Sequence, residues 1–375
     1  LSVLRYSGVE IDSLFSVPMK ADKFCRGTIL GALVGDCYGF VYEDKPTVQP
    51  DVPIALLRAT ISAVDTKQLI YTDDTQLALA ALRSLRRKRG FDPEDMAKEF
   101  AHDYFTDGAH RYYGGSIGSV FKSLEDDKFK HPFEFAAKQF NGTGSFGNGG
   151  GMRAAPLAIY SLKLPDTDFE RLIVDVTRLT HTHPLAVYGA LLIAFAVRSV
   201  WNAVSVDAEN INPAQFLDNL IAKLANVRYD FIDSKQPAWK SAFEQYVTRF
   251  EAVKELLKRS EDPTVPEIVS CLGNDLKAIN SIPTAIYVFL RSLKPISGIP
   301  LESIPLRCLV FAISLGGDTD TIGTMACALA GGYCGLSETE VNMEDSPIPA
   351  RVLSRCERID TVKELAQWLC DRCSD

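Results

Sequence analysis

Three groups of carboxylates in this 375-residue chain stand beside hydroxyl side chains in patterns that could hold hard cations. They are Asp36 with Glu43, then Thr72-Asp73-Asp74-Thr75, then Gly316-Gly317-Asp318-Thr319-Asp320-Thr321. Taken singly, each reads as a helix start, because Thr and Asp are preferred N-caps and a carboxylate there gains roughly 0.3–1 kcal/mol from the helix dipole. Brought together, they would repel one another unless cations neutralise them. Carboxylate and hydroxyl oxygens without neighbouring His or Cys suit Mg²⁺, Mn²⁺ or Ca²⁺ rather than Zn²⁺. On an ideal helix Asp318 and Asp320 would point ~200° apart, so their convergence requires an irregular turn, which Gly316-Gly317 permits. No EF-hand loop occurs, so a calcium sensor is not expected.

A second chemical feature is the run from Asn141 to Gly151, six of whose eleven residues are glycine. Its unhindered N–H groups could cradle a diphosphate. The G-x-G-x-x-G inside it is not a dinucleotide fingerprint, since its flanks, Phe133 to Phe140 and Met152 to Leu162, read as helix where that motif needs a strand. A smaller run, Gly114-Gly115-Ser116, follows Tyr112-Tyr113 and could add backbone donors. His181 and His183 lie between two helices, where one could bond terminal carbonyls. After Glu43, a proline-marked segment toward Leu69 reads as a long loop, and such loops are often lids, so Glu43 is expected to ride on a movable flap. G-x-S-x-G and H-E-x-x-H are absent, which removes esterase and zinc-peptidase chemistry.

The elements that must position these groups are helical. Apolar residues recur at spacings of three and four, as at Leu30, Leu33, Val34 and Cys37, then Ala78, Leu82 and Leu85, while alternating strand patterns are nearly missing. The expected fold is all-α, a compact orthogonal multi-helix bundle in one domain, with residues 1–22 as an N-terminal extension and 23–375 as the domain. Gly27, Gly31, Gly35 and Gly39 fall at intervals of four in the first helix, each costing ~1 kcal/mol of helix propensity relative to alanine. A close helix partner must offset that cost, and Gly323, Ala326, Ala328, Ala330 and Gly331 supply a matching stripe. The two ends of the chain should therefore pack together and bring the first and third acidic groups into one volume. Pro184 and Pro283 suit first helical turns. Breaks fall near 206–213, 260–266, 294–305 and 337–349.

Composition narrows the function classes. With 46% hydrophobic and 23% charged residues the chain is globular rather than disordered. Its 40 basic against 48 acidic side chains disfavour a broad phosphate-binding surface. The basic run Arg83, Arg86, Arg87, Lys88, Arg89 reads as a solvated helix end closing at Gly90. The longest apolar stretch, Leu185 to Val197, falls short of the ~20 residues of a bilayer span and reads as a buried helix. No secretory signal is expected from the first twenty residues. Nine scattered cysteines point to a reducing compartment; Cys370-x-x-Cys373 lacks a second pair at zinc spacing.

The ordered set Gly31 to Asp36, Tyr71 to Thr75, Gly144 to Gly150, Thr180-His181 and Ser314 to Thr321 resembles the ADP-ribosyl-acceptor hydrolases, over roughly Phe24 to Gly335. Gly144 to Gly150 and Ser281 to Tyr287 look like the type 3 branch. The resemblance implies an all-helical domain with two Mg²⁺ ions that hydrolyses O-glycosidic ADP-ribose, from serine on proteins and within poly(ADP-ribose). It makes Thr72, Asp73 and Asp74 one side of the metal site and Asp318, Asp320 and Thr321 the other. Glu43 matches the family's mobile glutamate, with a catalytic role beside Asp73 and Asp74 and a place at the metal. Substrate contacts fall to Gly114, Gly115, Ser116, His181, Leu276 at the adenosine end, and the diphosphate loop Thr143, Gly144, Ser145, Phe146, Gly147, Asn148 and Gly149. Phe146 stands where the branch often has tyrosine, and His183-Pro184 departs from the type 3 pattern. Hydrolysis of arginine-linked ADP-ribose or of a small ADP-ribose ester, and an inactive ADP-ribose-binding relative, are the alternatives; the intact acidic groups argue against the last. Expected partners are ADP-ribose-modified proteins and poly(ADP-ribose), without direct DNA or membrane binding, for a monomer of the nucleus and cytoplasm and of the mitochondrial matrix.

Overall fold

The glycines at every fourth position decide the architecture. The computed structural model describes residues 11–206 and 210–374, without the side chains of 11–19, 109 and 374. It lays a helix from Ile11 to Phe40 antiparallel against one from Thr319 to Cys334. A Cβ on Gly27 would stand 2.2 Å from the Gly331 carbonyl oxygen, on Gly31 2.2 Å from that of Cys327, on Gly35 2.2 Å from that of Gly323 and on Gly39 2.5 Å from that of Thr319. Of the expected partner stripe, Gly323 and Gly331 take contact positions, and Thr319 and Cys327 complete a row that is itself spaced by four. No side chain larger than hydrogen fits at these glycines, and the propensity cost is offset by backbone-to-backbone contact. Because the first helix ends at Phe40 where its partner begins, the seam places Asp36 beside Thr319, Asp320 and Thr321.

The rest of the chain wraps this pair. Eighteen α-helices and three short 3₁₀ turns, with no strands among the described residues, enclose one continuous apolar core. The last helix, Ile359–Ser374, returns to the first: Arg26 donates to Gln367 Oε1 at 2.6 Å and to Asp22 Oδ2 at 2.6 Å. The first helix runs through residue 22 without a break, so the expected boundary between extension and domain falls inside it; residues 1–10 lie outside the described residues.

Several local readings are corrected. The apolar helix extends from Pro184 to Ser205, 22 residues, long and apolar enough to cross a bilayer by length and composition; 72% of its most apolar window is buried among the other helices. The segment after Glu43 is not a structureless loop. It contains a helix, Asp51–Ile61, that buries Pro53, Ile54 and Leu57. Phe133 to Phe140 is not a helix: the 3₁₀ turn Ala136–Lys138 ends at Gln139, whose backbone is extended (ψ 153°), and Phe140 and Asn141 then take left-handed conformations (φ 49° and 58°). Pro283 lies inside the Ala278–Ser292 helix, whose start is set one turn earlier where the Ala278 amide donates to Phe146 O at 3.1 Å. The basic run is the solvated helix end expected, with Arg86, Arg87 and Lys88 exposed in the last turn and surface ion pairs from Arg83 to Glu99 and Asp103 and from Arg87 to Asp95 and Glu99, but the left-handed residue that closes it is Arg89 (φ 58°) in place of Gly90. Of the break expected at 206–213, residues 207–209 lie outside the described residues.

Candidate active site

Asp36, fully buried on the first helix, organises the second acidic group. Its Oδ1 accepts the Thr72 amide at 2.9 Å and the Thr72 hydroxyl at 3.0 Å; its Oδ2 accepts the Thr75 amide at 3.0 Å and the Thr75 hydroxyl at 2.6 Å. Four donors on one carboxylate hold the turn that starts the Asp73–Lys88 helix. Thr72 caps that helix, its oxygen accepting the Asp74 amide at 3.4 Å, and the Asp73 amide is fixed from the other side by Arg111 O at 2.8 Å. Asp36 thus acts as a clamp beneath the cluster.

The third group reaches the same place from the Thr319–Cys334 helix. Gly316 and Gly317 adopt φ of 68° and 71°, and a Cβ on Gly317 would lie 2.3 Å from Asn274 O, so this turn requires glycine twice. It delivers the Asp318 amide to Asn274 O at 2.8 Å and leaves Asp320 and Thr321 in the first helical turn. The Thr321 hydroxyl then donates to Asp74 Oδ1 at 3.2 Å, directly joining two acidic groups 247 residues apart in sequence. One carboxylate oxygen from each of Asp36, Asp74 and Asp320 falls within 4.8 Å of the others, and so do oxygens of Glu43, Asp318 and Asp320.

Among the described residues none of these carboxylates forms an ion pair with a basic side chain. Asp74 Oδ2 and Asp318 Oδ1 are buried without a hydrogen-bond partner. Burial, with Asp320 and Asp36 as the leading charges, pushes Asp73 and Asp74 well above the usual carboxylate range; burial and Asp318 do the same to Asp320. Burial raises Asp318 to about 6, and burial with Asp320, Asp44 and Asp36 raises Glu43 to about 7. Two helix N-termini point into the cluster, and orphaned hard oxygens there fit divalent cations of the Mg²⁺ type.

Above the carboxylates opens a cavity of about 600 Å³. Glu43, Asp73, Asp318, Asp320 and Thr321 line its floor; Gly114, Gly115 and Ser116 form one wall. Ser145, Phe146, Gly147, Asn148 and Gly149 form another with His181, and Leu276 stands exposed at the rim. The glycine loop is held against residues 276–278, where Asn148 N donates to Leu276 O at 3.0 Å, and Asn148 Nδ2 bridges to Asp318 Oδ2 at 2.5 Å. The Gly147 amide is committed to Ser145 Oγ at 3.3 Å, which narrows the donors this loop offers an anion.

Other expected residues lie behind these walls. Thr72 and Asp74 are buried under the floor, and Asp73 stands outside both close oxygen groups. Thr143 turns outward, donating to Phe140 O at 3.0 Å, and Gly144 (φ 74°) ties the loop base to Gln139 O at 3.0 Å. Neither histidine bonds a terminal helix carbonyl through its ring: His183 Nδ1 accepts the Leu185 amide at 3.2 Å and caps the following helix, and His181 Nδ1 meets the Thr180 hydroxyl at 2.8 Å. The flap is stitched to the glycine turn, Asp44 N to Gly317 O at 2.9 Å and Gly317 N to Lys45 O at 2.7 Å. Residues missed in the sequence include Leu77, Gln139, Phe140, Met152 and Lys277, which also line the cavity. Gln139 joins Ser116, at 2.8 Å, to Thr180 O, at 2.7 Å, through long-range bonds that leave no local signal.

Comparison with known proteins agrees with this geometry. The ADP-ribosylglycohydrolase family model matches residues 18–375. ADP-ribosylhydrolase ARH3 of Mus musculus is 38% identical over 355 residues, 92% of this chain and 90% of that protein. ADP-ribosylhydrolase ARH3 of Homo sapiens is 37% identical over 355 residues, 92% of each chain. A solved chain of an ADP-ribosylglycohydrolase-related protein complex shares the fold with a TM-score of 0.61 at 19% identity, over 94% of this chain and 99% of its own.

Proposed function

The chain belongs to the ADP-ribosylglycohydrolase family and is an ADP-ribosyl hydrolase, and we propose that it cleaves O-glycosidic ADP-ribose, from serine on proteins and within poly(ADP-ribose), with two Mg²⁺ ions. The observation that carries this reading is the meeting of Asp318, Asp320 and Glu43 on the floor of a cavity whose opposite wall is the glycine loop, with Asp74 close to Asp320 just beneath that floor. Asp74, Asp318 and Asp320 would hold the ions with Glu43 beside them, while Thr72 and Asp73 complete their surroundings. When bound, the ions supply charge stabilisation and orientation for the vicinal hydroxyls of a ribose.

The chain's own residues account for the remaining work. Cleavage of a ribosyl C–O bond passes through an oxocarbenium-like state, and a base that takes a proton from water must stand near neutral pKa. Glu43, half-buried where the cavity floor meets the Asp318 and Asp320 oxygens, is placed to be that base. Asn148 and Thr321 hold the Asp318 and Asp74 carboxylates in place. The loop from Thr143 to Gly149, the Gly114–Ser116 wall and His181 would bind the diphosphate and ribose, and Leu276 would border the adenosine. Phe146, tilted on Phe140 with ring centroids 5.4 Å apart, offers a stacking face without tyrosine's hydroxyl. A monomer in a reducing intracellular compartment suits the nine free cysteines.

Defined peptides carrying serine-linked or arginine-linked ADP-ribose, incubated with the protein and Mg²⁺, test the linkage. Release of ADP-ribose from the serine peptide alone is expected; release from the arginine peptide alone would transfer the assignment to the N-glycosidic linkage.

A further inference from the structure

Behind the glycine loop lies a cation that the mechanism does not use. Arg153 is fully buried, its guanidinium 5.3 Å from the Phe100 ring. Its Nη1 donates to Gly149 O at 2.5 Å, and its Nη2 donates to Val176 O at 3.2 Å and to Thr180 Oγ1 at 2.5 Å. One guanidinium thus fastens the diphosphate loop and the Thr180 hydroxyl to the same point.

That arrangement determines where the Thr180 hydroxyl proton goes. A hydroxyl has one proton and two lone pairs, and Arg153, which only donates, occupies a lone pair. Two acceptors lie within reach, Thr177 O at 3.4 Å and His181 Nδ1 at 2.8 Å. Thr177 O already accepts the Thr180 amide at 3.1 Å and the His181 amide at 2.8 Å, so both its lone pairs are filled. The hydroxyl therefore donates to His181 Nδ1, and the ring proton must reside on Nε2. Nε2 faces the cavity beside the loop: a Cβ on Gly147 would stand 3.3 Å from it and one on Gly149 3.0 Å. Burial and the nearby Arg153 charge push His181 down to about 3, so the ring is neutral at ordinary pH.

We propose that Thr180, held by Arg153, is a positioning residue that locks His181 in the Nε2–H tautomer and so makes it a hydrogen-bond donor to a substrate oxygen lying against the glycine loop. The substrate half of this inference rests on the ADP-ribosyl hydrolase reading; the tautomer half does not. An imidazole in the other tautomer would present a lone pair to the same electron-rich oxygen, and binding there would weaken. Losing one such donor is worth about tenfold in kcat/KM.

The test uses the full chain labelled with ¹⁵N-histidine and two-bond ¹H–¹⁵N correlation, the His181 signals being identified by their loss in His181→Asn. In the wild type they should show a protonated Nε2 and a bare Nδ1, unchanged between about pH 6 and 8. Thr180→Val, which keeps the shape and removes the hydroxyl, should populate the Nδ1–H form and lower kcat/KM about tenfold, and Thr180→Ser should restore both. A wild-type ring protonated on Nδ1, a Thr180→Val ring still locked on Nε2, an unchanged rate in that variant or a serine variant that recovers neither would each overturn the proposal. Were the serine-linked assignment wrong instead, the serine peptide would stay intact with every variant while the tautomer still shifted.

Discussion

The glycine seam and the acidic floor it ends in are built on opposite terms. Along the seam, Gly27, Gly31, Gly35 and Gly39 meet backbone carbonyls at distances that leave no room for a methyl group. At its end, Asp74 Oδ2 and Asp318 Oδ1 are buried without partners, and burial, with nearby carboxylates, raises the pKa of both groups. The seam gains from close contact and gives nothing to a ligand; the floor loses stability in order to keep oxygens free for one. Function here sits where the fold is least satisfied, with the most closely packed interface of the molecule directly beneath it.

The largest effect that would break this contrast lies in the seam. Gly31→Leu should leave no soluble folded protein, and Gly31→Ala should cost about 3 kcal/mol or more, read as a fall in Tm, because the Cys327 carbonyl cannot move without parting two helices. A Gly31→Leu variant melting like the wild type would remove the seam from the account. At the floor the sensitivity reverses. Asn148→Ala frees Asp318 from its side-chain bond to the loop and should lower turnover of serine-linked ADP-ribose about 10- to 100-fold with little change in Tm. A large loss of Tm with full activity would make Asn148 a structural residue.

The smallest effect sharpens the comparison through pH. Asp318 at about 6 and Glu43 at about 7 stand above the ~4 of unfolded carboxylates, so their contribution to stability is present below about pH 4 and lost as pH rises through 6 and 7. Mg²⁺ relieves the repulsion of the ionised groups and needs them ionised to bind. The rise in Tm on adding Mg²⁺ should therefore be slight near pH 5 and grow to the equivalent of about 2 kcal/mol near pH 8 at saturation. A gain that is flat across this range would contradict the shared charge of the floor.

Much of this was legible in the sequence, and the limits are physical. Spacing by four in glycine marks one face of a helix, so the seam and the meeting of chain ends could be read before any coordinates. The acidic groups were legible because Thr-Asp caps announce helix starts, and helix starts are where carboxylates converge. What remained hidden depends on partners distant in the chain. The capacity of Asp36 to clamp both Thr72 and Thr75, the bridge from Gln139 to Thr180 and the links from Arg153 to Val176 and Thr180 are consequences of packing that no local pattern encodes. The Asp51–Ile61 helix was readable from Ile54 and Leu57 but was masked by three prolines, one of which, Pro53, sits in its first turn where proline is tolerated. The helix expected at Phe133 to Phe140 failed because Gln139 is extended and Phe140 and Asn141 are left-handed in a turn closed by the Gly144 amide on Gln139 O, a backbone that asparagine tolerates and phenylalanine does not announce.

The central claim is that aspartates from the two ends of the chain share one divalent metal centre. Calorimetric titration of the metal-stripped protein with Mg²⁺, beside the same titration of Asp320→Ala, tests it most directly, since Asp320 belongs to both close oxygen groups. Saturable Mg²⁺ binding is expected of the wild type and its loss in the variant, which should stay folded and lose hydrolysis. An Asp320→Ala protein that binds Mg²⁺ as the wild type does would contradict it.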